Sequence, residues 1–190
     1  FEFSDRILCF SNSSEEIIRK AYPFIEDKCK VIPPIVDYIQ PVAMTKSHVE
    51  AFHIGVLGTI YFPKGSKIIK SLVEIIEQRR LRNIKIIIIG QMVDEKITSP
   101  HLIITGKYHR ADLVNLVKKY QIDMILVPSI CPETFSYATE EVLQMNLPVA
   151  VFDIGAPPER VKNYSKGLII EKVDPEVVLE KMLNWFKMQP

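Results

Sequence analysis

The sequence is poor in the features that announce several common classes of protein. It has three cysteines in 190 residues, Cys9, Cys29 and Cys131, and no two of them form a C-x-x-C pair. An odd, scattered set supports neither a disulfide framework nor a thiolate zinc site, and it fits a reducing, cytoplasmic compartment. The four histidines, His48, His53, His101 and His109, lack H-E-x-x-H or similar spacing, so no metal site is read from them. The formal net charge is +1, which offers no global field to nucleic acid or to an anionic membrane. The longest apolar runs, such as "IKIIIIG" and "DMILVP", are far too short to cross a bilayer. No segment reads as a secretory signal, and the opening on Phe1 rather than Met reads as a fragment or a processed chain. There is no internal repeat and no low-complexity tract.

What is present is an ordinary globular composition, 47% apolar and 25% charged, sufficient for one substantial core or one domain with part of another. From residue 52 onward, short apolar runs read as strands: "FHIGVLG", "IKIIIIG", "HLIIT", "DMILVP", "PVAVFD" and "GLIIE". Most are apolar throughout rather than alternating, as strands covered on both faces should be. Between several of them lie helical patterns. Ile68, Ile69, Leu72, Val73 and Ile76 form one stripe, and Leu113, Leu116 and Val117 another. A last helix opens on Asp174-Pro175-Glu176, a capping residue, a first-turn proline and an acid at the positive end. Strands alternating with helices predict a doubly wound parallel α/β sheet of about six strands. Ligands of such sheets bind beyond the carboxyl ends of the strands. The loops expected there are "GTIYFPKGS", "GQMVDEK", "TGKYHR", "PSICPETFS" and "DIGAPPERV". Residues 1–50 read differently: a strand in "DRILCFS", a helix in "SSEEIIRKAYPFI", an extended "KCKVIPPIVD", then an irregular connector.

Two of those loops carry chemistry. "GVLGTIYFPKGS" is neither a G-x-G-x-x-G fingerprint nor a Walker A loop. Gly58 nonetheless allows close backbone approach to a phosphate, and Lys64 supplies a positive charge. In "CPETFSYATEEVLQMN", a helix is expected to begin near Thr134 to Ser136 and to end at Asn146. Its N-terminus would present free N–H groups and partial positive charge to an anion such as a diphosphate. Glu133 precedes that helix and Glu141 lies two turns inside it, eight residues on. Two ionised carboxylates spaced along a groove suit two sets of hydroxyls.

Glu133 and Glu141 resemble the E-x7-E signature of the family 4 (group 1) retaining glycosyltransferases, in the nucleotide-sugar-binding half of the GT-B fold. The resemblance runs along nearly the whole chain: "KVIPPIVD" is similar to the family's hinge, "VLGTIYFPKGS" to its phosphate loop, "ITGKYHRADL" to its base-binding turn and "DIGAPPERV" to its Gly-Gly-x-Pro-Glu loop. It implies that residues 1–50 are the end of an acceptor half plus a hinge, and that 51–190 form the nucleotide-sugar-binding domain. By the same resemblance Glu133 contacts donor-sugar hydroxyls, Lys64 and Gly58 with Thr59 face the diphosphate, and Glu141 takes the ribose. Thr134, Phe135 and Ser136 would face sugar and diphosphate, the backbone at His109 and Arg110 would border the base, and Gly155 and Ala156 would lie near the cleft. No metal or cofactor is implied, only a nucleotide-diphosphate sugar as donor, with the acceptor-binding half as partner and peripheral membrane association open to the parent protein. The expected work is hexosyl transfer in cell-envelope polysaccharide synthesis, with this part inactive alone.

The sequence departs from the family at several points. Thr59 stands where Arg is usual, Ser136 where Gly is usual, Tyr137 where Leu or Ile is common, and Pro34-Ile35 replace Asn-Gly. The change at Thr59 removes a phosphate-binding cation, for which Arg110 is a candidate substitute. Two other readings stay open on the residues: a sugar-nucleotide epimerase of the same architecture, and a nonenzymatic α/β module that binds a nucleotide or a protein.

Overall fold

A computed structural model describes residues 1, 3–42 and 51–188. The expected boundary at residue 50 and His48 fall in 43–50, outside the described residues.

The main sheet has six strands: β3 (Phe52–Ile60), β4 (Ile84–Met92), β5 (Leu102–Ile104), β6 (Met124–Val127), β7 (Val149–Phe152) and β8 (Gly167–Ile170). All are parallel, in the order β5-β4-β3-β6-β7-β8. The helices between them are α2 (Ser66–Gln78), α3 (Leu113–Lys119), α4 (Tyr137–Gln144), α5 (Ala156–Val161) and α6 (Pro175–Lys187). This is the Rossmann-like, doubly wound arrangement expected from the sequence.

The apolar runs explain why the sheet is covered on both sides. Side chains alternate across a strand, so a continuous apolar run feeds two cores. Ile86 and Ile88 of β4 pack with α2 and α6, in a cluster that holds Ile69, Leu72, Ile76, Val178 and Met182. Ile87 and Ile89 enter the opposite cluster with Leu113, Val117 and Val142. Phe186 stacks on Phe52, ring centres 4.3 Å apart, and so closes the first core at the strands' amino ends.

The N-terminal part forms a separate two-stranded parallel sheet, β1 (Ile7–Cys9) with β2 (Cys29–Val31), and a helix α1 (Asn12–Ala21). Its small core is Ile7, Cys9 and Ile25. Glu159 of α5 accepts from the backbone N–H of Asn12 and Ser13, at 3.0 and 2.5 Å. A carboxylate there satisfies unpaired amides at the positive end of α1, so one side chain docks this unit on the main domain.

Two elements differ from the sequence expectation. "DIGAPPERV" was expected as a loop, yet Ala156–Val161 form a helix. Pro157 and Pro158 fall in its first turn, where proline's missing N–H costs nothing. The helix after Glu133 begins at Tyr137, with Ser136 as its cap, rather than earlier. Ser136 has φ +69°, which ends the preceding loop and delays the start. Glu141 therefore lies just over one turn inside the helix, not two.

Candidate functional site

In a doubly wound sheet the strand order reverses at one point, and the crevice beyond the strand ends there accepts ligand. Here that point lies between β3 and β6. A cavity of about 740 Å³ opens at it, walled by Gly58, Thr59 and Ile60 from the end of β3 and by Val127 and Ser129 from the end of β6.

Two glycines shape the first wall. Gly58 has φ +96° within β3, a conformation side chains resist. It pairs in register with Gly90, where an added Cβ would strike the Gly58 carbonyl. Beyond β3, residues 62–64 make a short 3-10 turn and Gly65, at φ +80°, leads into α2. Gly65 packs on the backbone of Pro128. The Ile130 N–H donates to the Pro63 carbonyl at 3.0 Å, which ties this loop to the one after β6. The two loops bring Lys64 to Glu133.

Lys64 Nζ stands 2.7 Å from Glu133 Oε2, with the two side chains 33% and 11% exposed. Ser129 Oγ donates to the other oxygen, Oε1. The backbone beneath Glu133 is also held: its carbonyl accepts from the Ala156 N–H at 3.0 Å. Gly155, at φ +70°, lies so close that a Cβ would stand 2.7 Å from Glu133 N and Pro132 Cα. Both oxygens and the main chain of Glu133 are thus fixed before any ligand arrives.

At the other end of the cavity sits Glu141. Its Oε1 accepts from the Tyr38 hydroxyl at 2.9 Å and pairs with Arg110 Nε at 3.2 Å. The Arg110 guanidinium lies 4.8 Å from the centre of the Tyr38 ring and 5.7 Å from that of Tyr137. Burial pushes the Glu141 carboxyl above the ordinary carboxylate value, against the lowering effect of Tyr38 and Arg110. Loss of solvent, with the bond to Glu141, pushes the Tyr38 hydroxyl up to about 12. Between the two ends runs the start of α4, where Ser136 Oγ accepts from Thr139 N–H at 3.4 Å. Phe135 is buried beneath it, with the Arg160 guanidinium 6.0 Å from its ring centre. Arg160 is itself fixed by the buried Glu140, through contacts of 2.9 and 2.5 Å.

Of the residues singled out from the sequence, Gly58, Thr59, Lys64, Arg110, Glu133 and Glu141 line this cavity, as do Thr134, Phe135 and Ser136. Three do not. His109 lines a smaller depression of about 360 Å³ with Lys107, Asp112 and Lys119. Gly155 and Ala156 lie behind Glu133 and hold its backbone. Sequence reasoning missed Ser129, Tyr38, Tyr108 and Phe10; Ser129 alone carried a local signal, four residues before Glu133. Among the described residues no group of three or more His, Cys, Asp or Glu side chains is placed to hold a metal ion.

The sequence model of the glycosyl transferases group 1 family matches residues 45–190. The chain belongs to that family. No curated protein matches it. Among solved structures, a glycosyltransferase from Rickettsia africae superposes with a TM-score of 0.77 at 21% identity, over 97% of this chain and 54% of that one. HepE of Anabaena, solved with UDP and glucose, gives 0.78 at 15% identity, over 98% and 55%. Sucrose-phosphate synthase of Thermosynechococcus elongatus gives 0.79 at 14%, over 98% and 50%. The chain spans about half the length of these structures, whose likeness establishes the shared α/β fold.

Proposed function

We propose that this chain is the donor-binding half of a retaining glycosyltransferase that moves a hexose from a nucleotide-diphosphate sugar to a glycan or lipid-linked acceptor. One observation carries the reading: Glu133 and Glu141, eight residues apart, line a single cavity at the switch point of the sheet, each beside a cation. A sugar at Glu133, a diphosphate along Lys64 and the start of α4, and a ribose at Glu141 would fill it in that order. The UDP and glucose bound by the Anabaena relative support a donor of this class.

The chemistry follows from charge. As the bond from sugar to diphosphate breaks, positive charge grows on the sugar ring and negative charge on the leaving diphosphate. Lys64 and the amides at the start of α4 stabilise the second, because fixed positive groups in a partly desolvated cleft oppose no reorganisation. Glu133 holds sugar hydroxyls and stands close to the developing positive charge. With these groups carrying the leaving charge, the proposal includes no metal and no cofactor.

The acceptor-binding half, residues 1–50 as its remnant with a hinge, and a cytoplasmic site facing cell-envelope polysaccharide synthesis belong to the same proposal. No described helix is long and apolar enough to cross a membrane, so any membrane contact of the parent through these residues is peripheral in this reading. The test is Glu133→Ala in a protein carrying both halves. Transfer should fall by about 100-fold or more, with cooperative unfolding retained; near-normal turnover would contradict the proposal.

A further inference from the structure

Residues 32–42 have no regular secondary structure, yet part of this strap is firmly seated. Val36, Ile39 and Val42 are buried in the cluster that includes Val142 and Met145. The Val42 N–H donates to the Met145 carbonyl at 3.0 Å, just past the end of α4. The strap thereby brings Tyr38 against the outer side of Glu141, although Tyr38 is not among the cavity's lining residues. Its hydroxyl and Arg110 Nε both contact Oε1, at 2.9 and 3.2 Å. Among the described residues no donor bonds to Oε2. A carboxylate with one oxygen accepting from a hydroxyl and paired with a guanidinium has a fixed orientation, and the other oxygen is left to accept from a ligand.

We propose that Tyr38 is a positioning residue that turns Glu141 so that Oε2 is offered to the vicinal hydroxyls of a ribose, making the site selective for ribonucleotides. This rests on the nucleotide-sugar reading of the cavity. Arg110, whose guanidinium lies over the Tyr38 ring, stands beside the same oxygen. Burial raises the Glu141 carboxyl overall, and the bond from the Tyr38 hydroxyl acts against that rise.

Tyr38→Phe keeps the ring beneath Arg110 and removes only the donor. Calorimetric titration of the 190-residue chain with UDP, ADP, GDP and their 2′,3′-dideoxy forms gives the test. The wild-type chain should bind a ribose form more tightly than its dideoxy partner. In Tyr38→Phe the ribose form should weaken about tenfold, the size of a hydrogen bond to a charged group, while the dideoxy form is unchanged. A ribose preference that survives in the variant overturns the proposal alone. Equal weakening of both forms marks a merely structural role and also overturns it. A wild-type chain that binds nucleotide without distinguishing the two forms overturns the assignment of Glu141 to ribose, and one that binds none overturns the cavity's reading as well.

Discussion

Ser136 holds a backbone conformation that side chains disfavour, at φ +69°, while its own Oγ caps α4 through Thr139. The two effects oppose each other. A left-handed residue with a Cβ carries roughly 1–2 kcal/mol of strain, and loss of a side-chain cap costs about 1 kcal/mol, but only a few tenths when glycine replaces it. Ser136→Gly should therefore be more stable than Ser136→Ala by about 1–2 kcal/mol in urea denaturation. An alanine variant as stable as the glycine variant would show that the conformation is not strained. The position was visible in the sequence as a departure from the usual glycine; its reason was not, because a dihedral angle leaves no mark on composition. Glu133, Glu141 and Lys64 were legible because their spacing and loop positions are local. Tyr38 was not: its partner is 103 residues away in sequence, and nothing near it marks it as a hydrogen-bond donor to a carboxylate.

At the level of elements, strands were legible and short irregular segments were not. The six apolar runs became six strands because burial on both faces demands it of each residue. The strap at 36–42 buries Val36, Ile39 and Val42 at a spacing of three, too short a run to stand out from the sequence, where it reads as an extended piece leading into an irregular connector. Helix α5 was read as a loop because its two prolines dominate the pattern, although both sit where a helix tolerates them. Its N-terminal junction has a task that the sequence did not reveal. Gly155 has φ +70° and ψ −146°, a region nearly reserved for glycine, and its missing Cβ makes room for the main chain of Glu133. Gly155→Ala should destabilise the fold by about 1–3 kcal/mol from backbone strain alone, and should weaken any ligand that depends on Glu133. Chemical denaturation checks the first part, and a variant as stable as wild type would contradict it.

On the scale of the whole molecule, the strand order sets where the chemistry lies. Reversal between β3 and β6 leaves a crevice, and the loops after those two strands supply Lys64 and Glu133, while the start of the following helix closes the floor. The N-terminal unit, with its own small core, meets this domain where Glu159 of α5 accepts from the first amides of α1, so α5 touches both that unit and the backbone of Glu133. The family match and the arrangement of two carboxylates, each beside a cation, along one cavity lead to a single expectation: the free protein should be stabilised by a nucleoside diphosphate. Thermal unfolding of the chain with UDP, GDP or ADP at millimolar concentration tests it most directly. A nucleotide at about 100 times its Kd adds about 2.7 kcal/mol to stability, which for a domain of this size is a rise in Tm of roughly 5–10 °C. At least one of the three should produce a rise of that order; no shift with any of them would contradict the central claim and favour a nonenzymatic module.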